Sequence, residues 1–182
     1  MAQELWVTGV VLAAGAGTRF GMPKVLAAEG EWLRRSVAAL RDGGCRDVVV
    51  VLGAAVVAVP EPARAVVADD WADGLSASVR AGVLAADERA NVVALTTVDT
   101  PDVGAAAVQR VLSAAWESGS GLARAVYDGR PGHPVALARK HWPQLLEVLG
   151  GDDGAGPFLR GRSDVVAVEC ADLSTGRDID RR

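Results

Sequence analysis

The chain has 182 residues, 50% of them hydrophobic and only 4% aromatic, and carries a formal net charge of -4 at pH 7. That length predicts one domain, residues 1–182, with enough chain for a real buried core, and the excess of Ala, Val and Leu over aromatics suits a parallel sheet of aliphatic strands covered by Ala-rich helices. No basic cluster stands out before Arg181-Arg182, which argues against a nucleic-acid partner, and no run approaches the roughly 20 apolar residues of a membrane helix.

The apolar run at residues 7–16 follows Glu4 rather than a positive leader, and glycine breaks it early. It therefore reads as a strand and loop rather than an export signal, and the protein as cytoplasmic. Residues 5–12 predict the first strand and residues 13–24 a loop. Residues 31–41 predict a helix, with Leu33, Val37 and Leu40 at helical spacing and Gly43-Gly44 at its end. Cys45 and Cys170 lie far apart with no second ligand residue nearby, so they read as buried or idle thiols in a reducing compartment.

Residues 47–52 predict a second buried strand, 64–68 a short third, and 76–86 a helix with Ser76 as its N-cap. A fourth strand follows at 91–98 and a helix at 103–117, after Thr100-Pro101. The runs 122–127 and 133–138 flank residues 128–132, which suggests a hairpin with a wide loop. A helix at 139–148, a polar glycine-rich loop at 150–157 and a last strand at 165–170 complete the pattern. Such alternation argues for a three-layer α/β/α, Rossmann-like domain with a mainly parallel mixed sheet. Ligands of these sheets bind beyond the carboxyl ends of the strands, so the loops after the first, third and fourth strands are where a site is expected.

The most informative segment is Leu12-Ala13-Ala14-Gly15-Ala16-Gly17-Thr18-Arg19-Phe20-Gly21-Met22-Pro23-Lys24. Small residues let the backbone approach a ligand, and free amides there can cradle phosphate oxygens. Arg19 adds a planar fork of donors and Lys24 a point charge. The segment is not a Walker loop, because no Gly-Lys-Ser/Thr occurs at the required spacing. It is also a poor dinucleotide fingerprint: Phe20 occupies the third glycine position, and Leu52 is followed by Gly53 rather than by an acid. Taken alone, the stretch would also serve as a tight strand-to-helix turn.

As a whole the segment resembles the Leu-Ala-Ala-Gly-x-Gly-x-Arg-x-Gly-x-Pro-Lys signature of nucleotidyltransferases. The chain is similar, over nearly its full length, to the molybdenum cofactor cytidylyl- and guanylyltransferases. The resemblance implies a Rossmann-like nucleotidyltransferase fold in which the first loop, with Leu12, Ala13, Ala14, Gly15, Ala16, Gly17 and Arg19, wraps a triphosphate. Lys24 would steady charge near the reacting phosphate. It implies further that Asp99, directly after the fourth strand, holds Mg2+ bridging the phosphates, as hard cations prefer oxygen ligands; by itself Asp99 before Thr100-Pro101 is equally an ordinary turn or cap signal.

Gly74 and Ser76, and more weakly Ser78, match a helix start that lies against base and ribose in that family, and read without it as a helix cap. His133 in Gly132-His133-Pro134-Val135, and Asp152 in the loop at 151–155, match segments that face the acceptor; a lone loop histidine is otherwise structural. The ending Asp178-Ile179-Asp180 resembles Asp-Ile-Asp-Thr-Pro, which maps Asp180 onto a second metal ligand, although Arg181-Arg182 stand where the family has Thr-Pro. The activity implied is transfer of a nucleotidyl group from CTP, or alternatively GTP, to the phosphate of molybdopterin or its molybdenum-loaded form. A molybdoenzyme or its chaperone would be the partner that takes the product. Two rivals stay open: a nicotinamide-dependent oxidoreductase using Gly15-Ala16-Gly17 as a dinucleotide loop, and a nucleotide-binding protein of this fold without turnover.

Overall fold

The computed structural model describes residues 4–182. Its centre is β1 (Val7–Leu12), six residues that are all buried. β1 pairs in parallel with β2 (Asp47–Leu52) on one side and with β4 (Val92–Thr97) on the other. β3 (Arg64–Val67) extends the first side in parallel, and beyond β4 come β6 (Arg130–Ala138), β5 (Leu122–Tyr127) and β7 (Val166–Glu169), so the order is β3-β2-β1-β4-β6-β5-β7. Only β6 runs against its neighbours, while β5 and β7 pair in parallel. Strand order reverses at β1, where the chain goes first to β2 and later returns to β4, and that switch point opens a crevice at the carboxyl ends of β1 and β4.

Near-continuous valine and leucine runs are what a sheet covered on both faces requires. On one face Val11, Val50 and Ala94 pack under α1 (Glu31–Asp42) and α3 (Ala105–Glu117), through Leu33, Val37, Leu40, Val108 and Val111. On the other, Val10, Val49 and Leu95 meet α2 (Leu75–Leu84), α4 (Trp142–Val148) and α5 (Gly156–Arg160), through Val79, Val83, Leu145 and Phe158. The result is a three-layer α/β/α arrangement around a mainly parallel mixed sheet. Cys45 and Cys170 are both free and buried in the first of these layers, and burial pushes the Cys45 thiol up to about 12. No helix among the described residues is long and apolar enough to cross a membrane.

Local chemistry moves several boundaries. The hairpin loop is tight rather than wide: β6 already begins at Arg130, because Asp128 (φ 52°) and Gly129 (φ 76°) both adopt the left-handed conformation that a two-residue turn needs. The Glu169 carboxylate accepts the amides of Asp128 and Gly129 at 3.0 and 3.2 Å, which holds the turn against β7. Ser76 is not a cap. α2 starts one residue earlier, with Gly74 in the cap position, and the Ser76 amide donates to the Gly151 carbonyl at 3.1 Å. The predicted helix at 139–148 divides into a 3-10 turn (Arg139–His141) and α4, whose first turn accommodates Pro143. The expected loop at 150–157 ends in a short helix, α5, likewise begun by a proline.

Leu40 is fully buried against Gly9 and Cys45, in the layer that fixes α1 to the sheet. Leu40→Ala is expected to destabilise the protein by about 2–5 kcal/mol, as a cavity-forming core truncation does. Urea unfolding followed by circular dichroism measures this directly.

Candidate functional site

Beyond the carboxyl ends of β1 and β4 lies a cleft of about 550 Å³. Its floor is the first loop. The Ala13 amide continues the sheet to the Val51 carbonyl (3.0 Å), and the Ala14 carbonyl accepts from Ala54 (2.9 Å). After that the backbone leaves the sheet: among the described residues, the amides of residues 14–19 donate no hydrogen bond to the protein. The loop closes where Gly21 donates to Gly17 (2.8 Å). Gly17 sits at φ 62°, and a Cβ there would overlap the Met22 carbonyl, so both the handedness and the close approach demand glycine. Phe20 is buried against Trp32 at a centroid distance of 5.3 Å. The residue that spoils the dinucleotide pattern thus anchors the loop.

Gly53 explains the absent second-strand acid. A Cβ on it would lie 2.6 Å from the Trp71 side chain and 2.7 Å from the Ala14 carbonyl, so no side chain fits. Trp71 occupies that flank and lines the cleft with Gly74, Leu75 and Ser78.

The charged wall gathers distant residues. Lys24, at the start of the 3-10 segment Lys24–Gly30, places its Nζ 2.9 Å from Asp99 Oδ2 and 3.0 Å from Asp180 Oδ1. Burial pulls the Lys24 ammonium down, but the hydrogen bonds to the two carboxylates outweigh it and hold the group above its ordinary value. The same contact holds Asp180 below the usual carboxylate range. Asp99 Oδ1, the oxygen not used by Lys24, is buried and has no partner. The terminal segment reaches this place because the Ile179 amide donates to the Asp99 carbonyl at 3.0 Å. Asp178 also lines the cleft, and partial burial, followed by the charges of Asp99 and Asp180, pushes its carboxyl up.

The cleft therefore brings together Leu12, Ala13, Ala14, Gly15, Ala16, Gly17, Arg19, Lys24, Gly74, Ser78, Asp99, His133, Asp152 and Asp180 from the residues singled out in the sequence. Ser76 is buried beside it but does not line it. Asp178 and Trp71 were not singled out. The paired acids around Ile179 carried a signal for Asp178, whereas nothing in the sequence marks Trp71 as facing the cleft. Four aspartates, 99, 152, 178 and 180, face one arginine and one lysine in this lining. An added anion would be repelled unless a further cation came with it. The orphaned oxygen of Asp99 fits a hard cation, with Asp180 as its neighbour across Lys24. Among the described residues no group of three or more His, Cys, Asp and Glu side chains forms a ready cage, so part of a cation's coordination would have to come from its ligand.

Residues 9–166 match the family model of the MobA-like NTP transferase domain. The chain belongs to that family. It is 37% identical over 190 aligned positions to the nicotine blue oxidoreductase of Paenarthrobacter nicotinovorans, covering 96% of this chain and 92% of the relative. Among solved structures it resembles Rv0371c of Mycobacterium tuberculosis H37Rv, with a TM-score of 0.78, 26% identity and coverage of 97% and 94% of the two chains. A manganese complex of Rv0371c superposes with a TM-score of 0.69 at 23% identity, covering 96% and 94%. A nucleotidyl transferase of Methanothermobacter thermautotroptrophicus, Mth528, shares the fold with a TM-score of 0.77 at 22% identity, covering 97% and 92%. Family membership thus accounts for the sheet and its loop as those of an NTP transferase domain.

His133, half-buried in the cleft wall, is shifted by loss of hydration first and then by the Arg124 guanidinium, against the pull of Asp99; its imidazole is pushed down to about 4. It is neutral at pH 7. Between about pH 6.5 and 4 the unfolded chain binds this proton before the folded one does, so His133 costs stability as the pH falls through that window and nothing above it. An NMR titration is expected to place its midpoint near pH 4, and His133→Asn should blunt the loss of thermal stability between pH 6.5 and 4. A midpoint at 6 to 7 contradicts the half-buried, neutral ring.

Proposed function

We propose that the chain is a metal-dependent nucleotidyltransferase that joins a nucleoside monophosphate to an anionic acceptor and releases pyrophosphate. The observation that carries this reading is the orphaned Asp99 oxygen beside Lys24, at the mouth of a loop whose amides are free. The amides of residues 14–19 would take the oxygens of a triphosphate, with Arg19 closing over them as a fork. Trp71, Gly74 and Ser78 would flank base and ribose, with Ser76 acting only through the backbone turn it secures. An acceptor oxygen attacks the α-phosphorus, the new P–O bond forms, and the bond to the bridging oxygen of the β-phosphate breaks with its electrons leaving on pyrophosphate.

A phosphate acceptor is already anionic, so no strong general base is required. The contribution of the protein is alignment and the neutralising of charge by Lys24 and Arg19. Mg2+, held by Asp99 with Asp180, would supply the remaining positive charge on the polyphosphate. Neutral His133 and Asp152 would meet the acceptor. We favour CTP over GTP as donor and a molybdopterin-type acceptor, with a molybdoenzyme or its chaperone receiving the product in the cytoplasm.

The 37% identical relative favours a second reading. It is named as an oxidoreductase, and a nicotinamide dinucleotide could set its pyrophosphate on the same free amides. Gly53, which leaves no room for an acid after β2, and Phe20 in the third glycine position speak against that ligand.

A pyrophosphate-release assay crossing CTP, GTP and ATP with molybdopterin, with and without Mg2+, tests the first reading. Release is expected with CTP and metal together. Lys24→Ala should lower turnover about a hundredfold or more while the circular dichroism spectrum stays that of the wild type, and Asp99→Ala should abolish the metal-dependent rate. Turnover of NADH that persists in a metal chelator, with no pyrophosphate formed from any triphosphate, would transfer the assignment to the second reading.

A further inference from the structure

Lys24 stands in the place that a cation shared by Asp99 and Asp180 would take. Its Nζ lies 2.9 Å from Asp99 Oδ2 and 3.0 Å from Asp180 Oδ1, so one ammonium joins the two acids best placed to hold a metal. Asp99 keeps only its other oxygen, Oδ1, for anything further, and that atom is buried without a partner. Among the described residues no group of three or more His, Cys, Asp and Glu side chains is placed to hold a metal unaided. Arg19 lines the same cleft without joining this contact.

The backbone under Lys24 is fixed. The Pro23 carbonyl accepts the Leu26 amide at 3.0 Å, and the Met22 carbonyl lies so close to Gly17 that a Cβ would overlap it. Asp99 and Asp180 are tied to one another as well, because the Ile179 amide donates to the Asp99 carbonyl at 3.0 Å. The freedom in this cluster belongs to the Lys24 side chain, a flexible four-carbon stem whose head has three donors and no fixed plane. Its side chain is 16% exposed and lines the cleft, so the ammonium can turn toward the first loop while its backbone stays in place.

Mg2+ binds oxygen at about 2.0–2.1 Å and is usually held by one or two carboxylates together with substrate phosphates. An ammonium between Asp99 and Asp180 occupies the oxygens such an ion needs and repels it at that range. Polyphosphate oxygens on the first loop offer the same ammonium charge-assisted hydrogen bonds of equal kind. Lys24 can therefore leave the two acids and remain paired throughout, but only when a polyphosphate is there to receive it.

We propose that Lys24 is a built-in occupant of the divalent-cation position that yields it when a polyphosphate enters, so that the cleft takes metal and triphosphate together rather than metal first. The inference rests on the reading of the first loop as the seat of a triphosphate and of Asp99 with Asp180 as the metal side of the cleft. It gives Lys24 two successive tasks. The ammonium first screens two acids from one another and from stray divalent ions, and then meets the polyphosphate.

The test uses the full chain and Mn2+ alone as the first probe, with free Mn2+ measured by electron paramagnetic resonance and no nucleotide present. Lys24→Met is expected to tighten Mn2+ binding about tenfold or more, within the ordinary range of coupling between linked sites, although loss of this lysine slows turnover. Arg19→Met removes the same charge from the cleft without freeing either acid, and should gain far less. The second probe is Mg2+ with the α,β-methylene analogue of CTP, whose binding is followed by its own phosphorus resonances. The Lys24 Cε resonance, assigned by its absence in Lys24→Met, should shift when analogue and Mg2+ are added together and stay in place with Mg2+ alone.

Wild-type protein that binds Mn2+ as tightly as Lys24→Met overturns the proposal. An equal gain in Arg19→Met overturns it too, because charge rather than place would then be the cause. A Lys24 resonance that stays put while the analogue is bound overturns it without recourse to any variant, so the test stands if Lys24→Met does not fold. The Mn2+ measurement needs no nucleotide, so it can succeed while pyrophosphate release fails. Metal-dependent release with no gain of Mn2+ affinity in Lys24→Met sinks this inference alone.

Discussion

The contact on which the site depends is that of Lys24 with two carboxylates, one from the middle of the sequence and one from its end. Asp99 and Asp180 each lie within 3.0 Å of its ammonium, and the three residues belong to the first loop, the end of β4 and the terminal segment. In so charged a cleft no one of them could stand alone: Lys24 unpaired would add uncompensated charge, and the two acids unpaired would repel one another and Asp178. The pairing sets loop, strand end and terminal segment in one place before any ligand arrives. It leaves one oxygen of Asp99 unused, which is the opening for a further cation.

The terminal segment is held along its length rather than at one point. Arg110 on α3 binds Asp172 through both carboxylate oxygens, Asp102 accepts from the amide and hydroxyl of Thr175, and the Ile179 amide reaches the Asp99 carbonyl. Arg182 then lies over the ring of Phe20, 5.3 Å from its centroid. Surface ion pairs are worth little singly. Here they act as a series that carries Asp178 and Asp180 across to a loop more than 150 residues earlier in the chain, as the separation of 156 between Lys24 and Asp180 records.

Membership of the MobA-like NTP transferase family accounts for the sheet, the loop and the switch-point cleft together, while a 37% identical relative carries the name of a redox enzyme. The two facts are compatible, because a fold does not specify a reaction. What separates the chemistries is the wall opposite the loop. A wall of aspartates with an unused buried oxygen suits a ligand that brings polyphosphate and metal together. The close packing of Gly53 under Trp71 removes the acid a dinucleotide ribose would seek.

The sequence by itself determined the aliphatic strands, their order along the chain, and the loop at residues 12–24, because these are local patterns: β-branched runs, glycines at fixed spacing, a proline before a lysine. It also marked Asp99, since an acid at a strand end is visible without knowing its neighbours. The tight turn at Asp128-Gly129 was hidden, because the extended start of β6 contains two prolines and a glycine and does not look like a strand. Ser76 was misread as a cap because the competing acceptor, the Gly151 carbonyl, comes from a distant loop. Tertiary structure alone decided that Lys24 meets Asp180 and that Asp178 and Trp71 turn into the cleft. Each of these is a contact between segments that only the folded sheet brings together, and charge or burial at such a meeting point leaves no trace in either segment read alone.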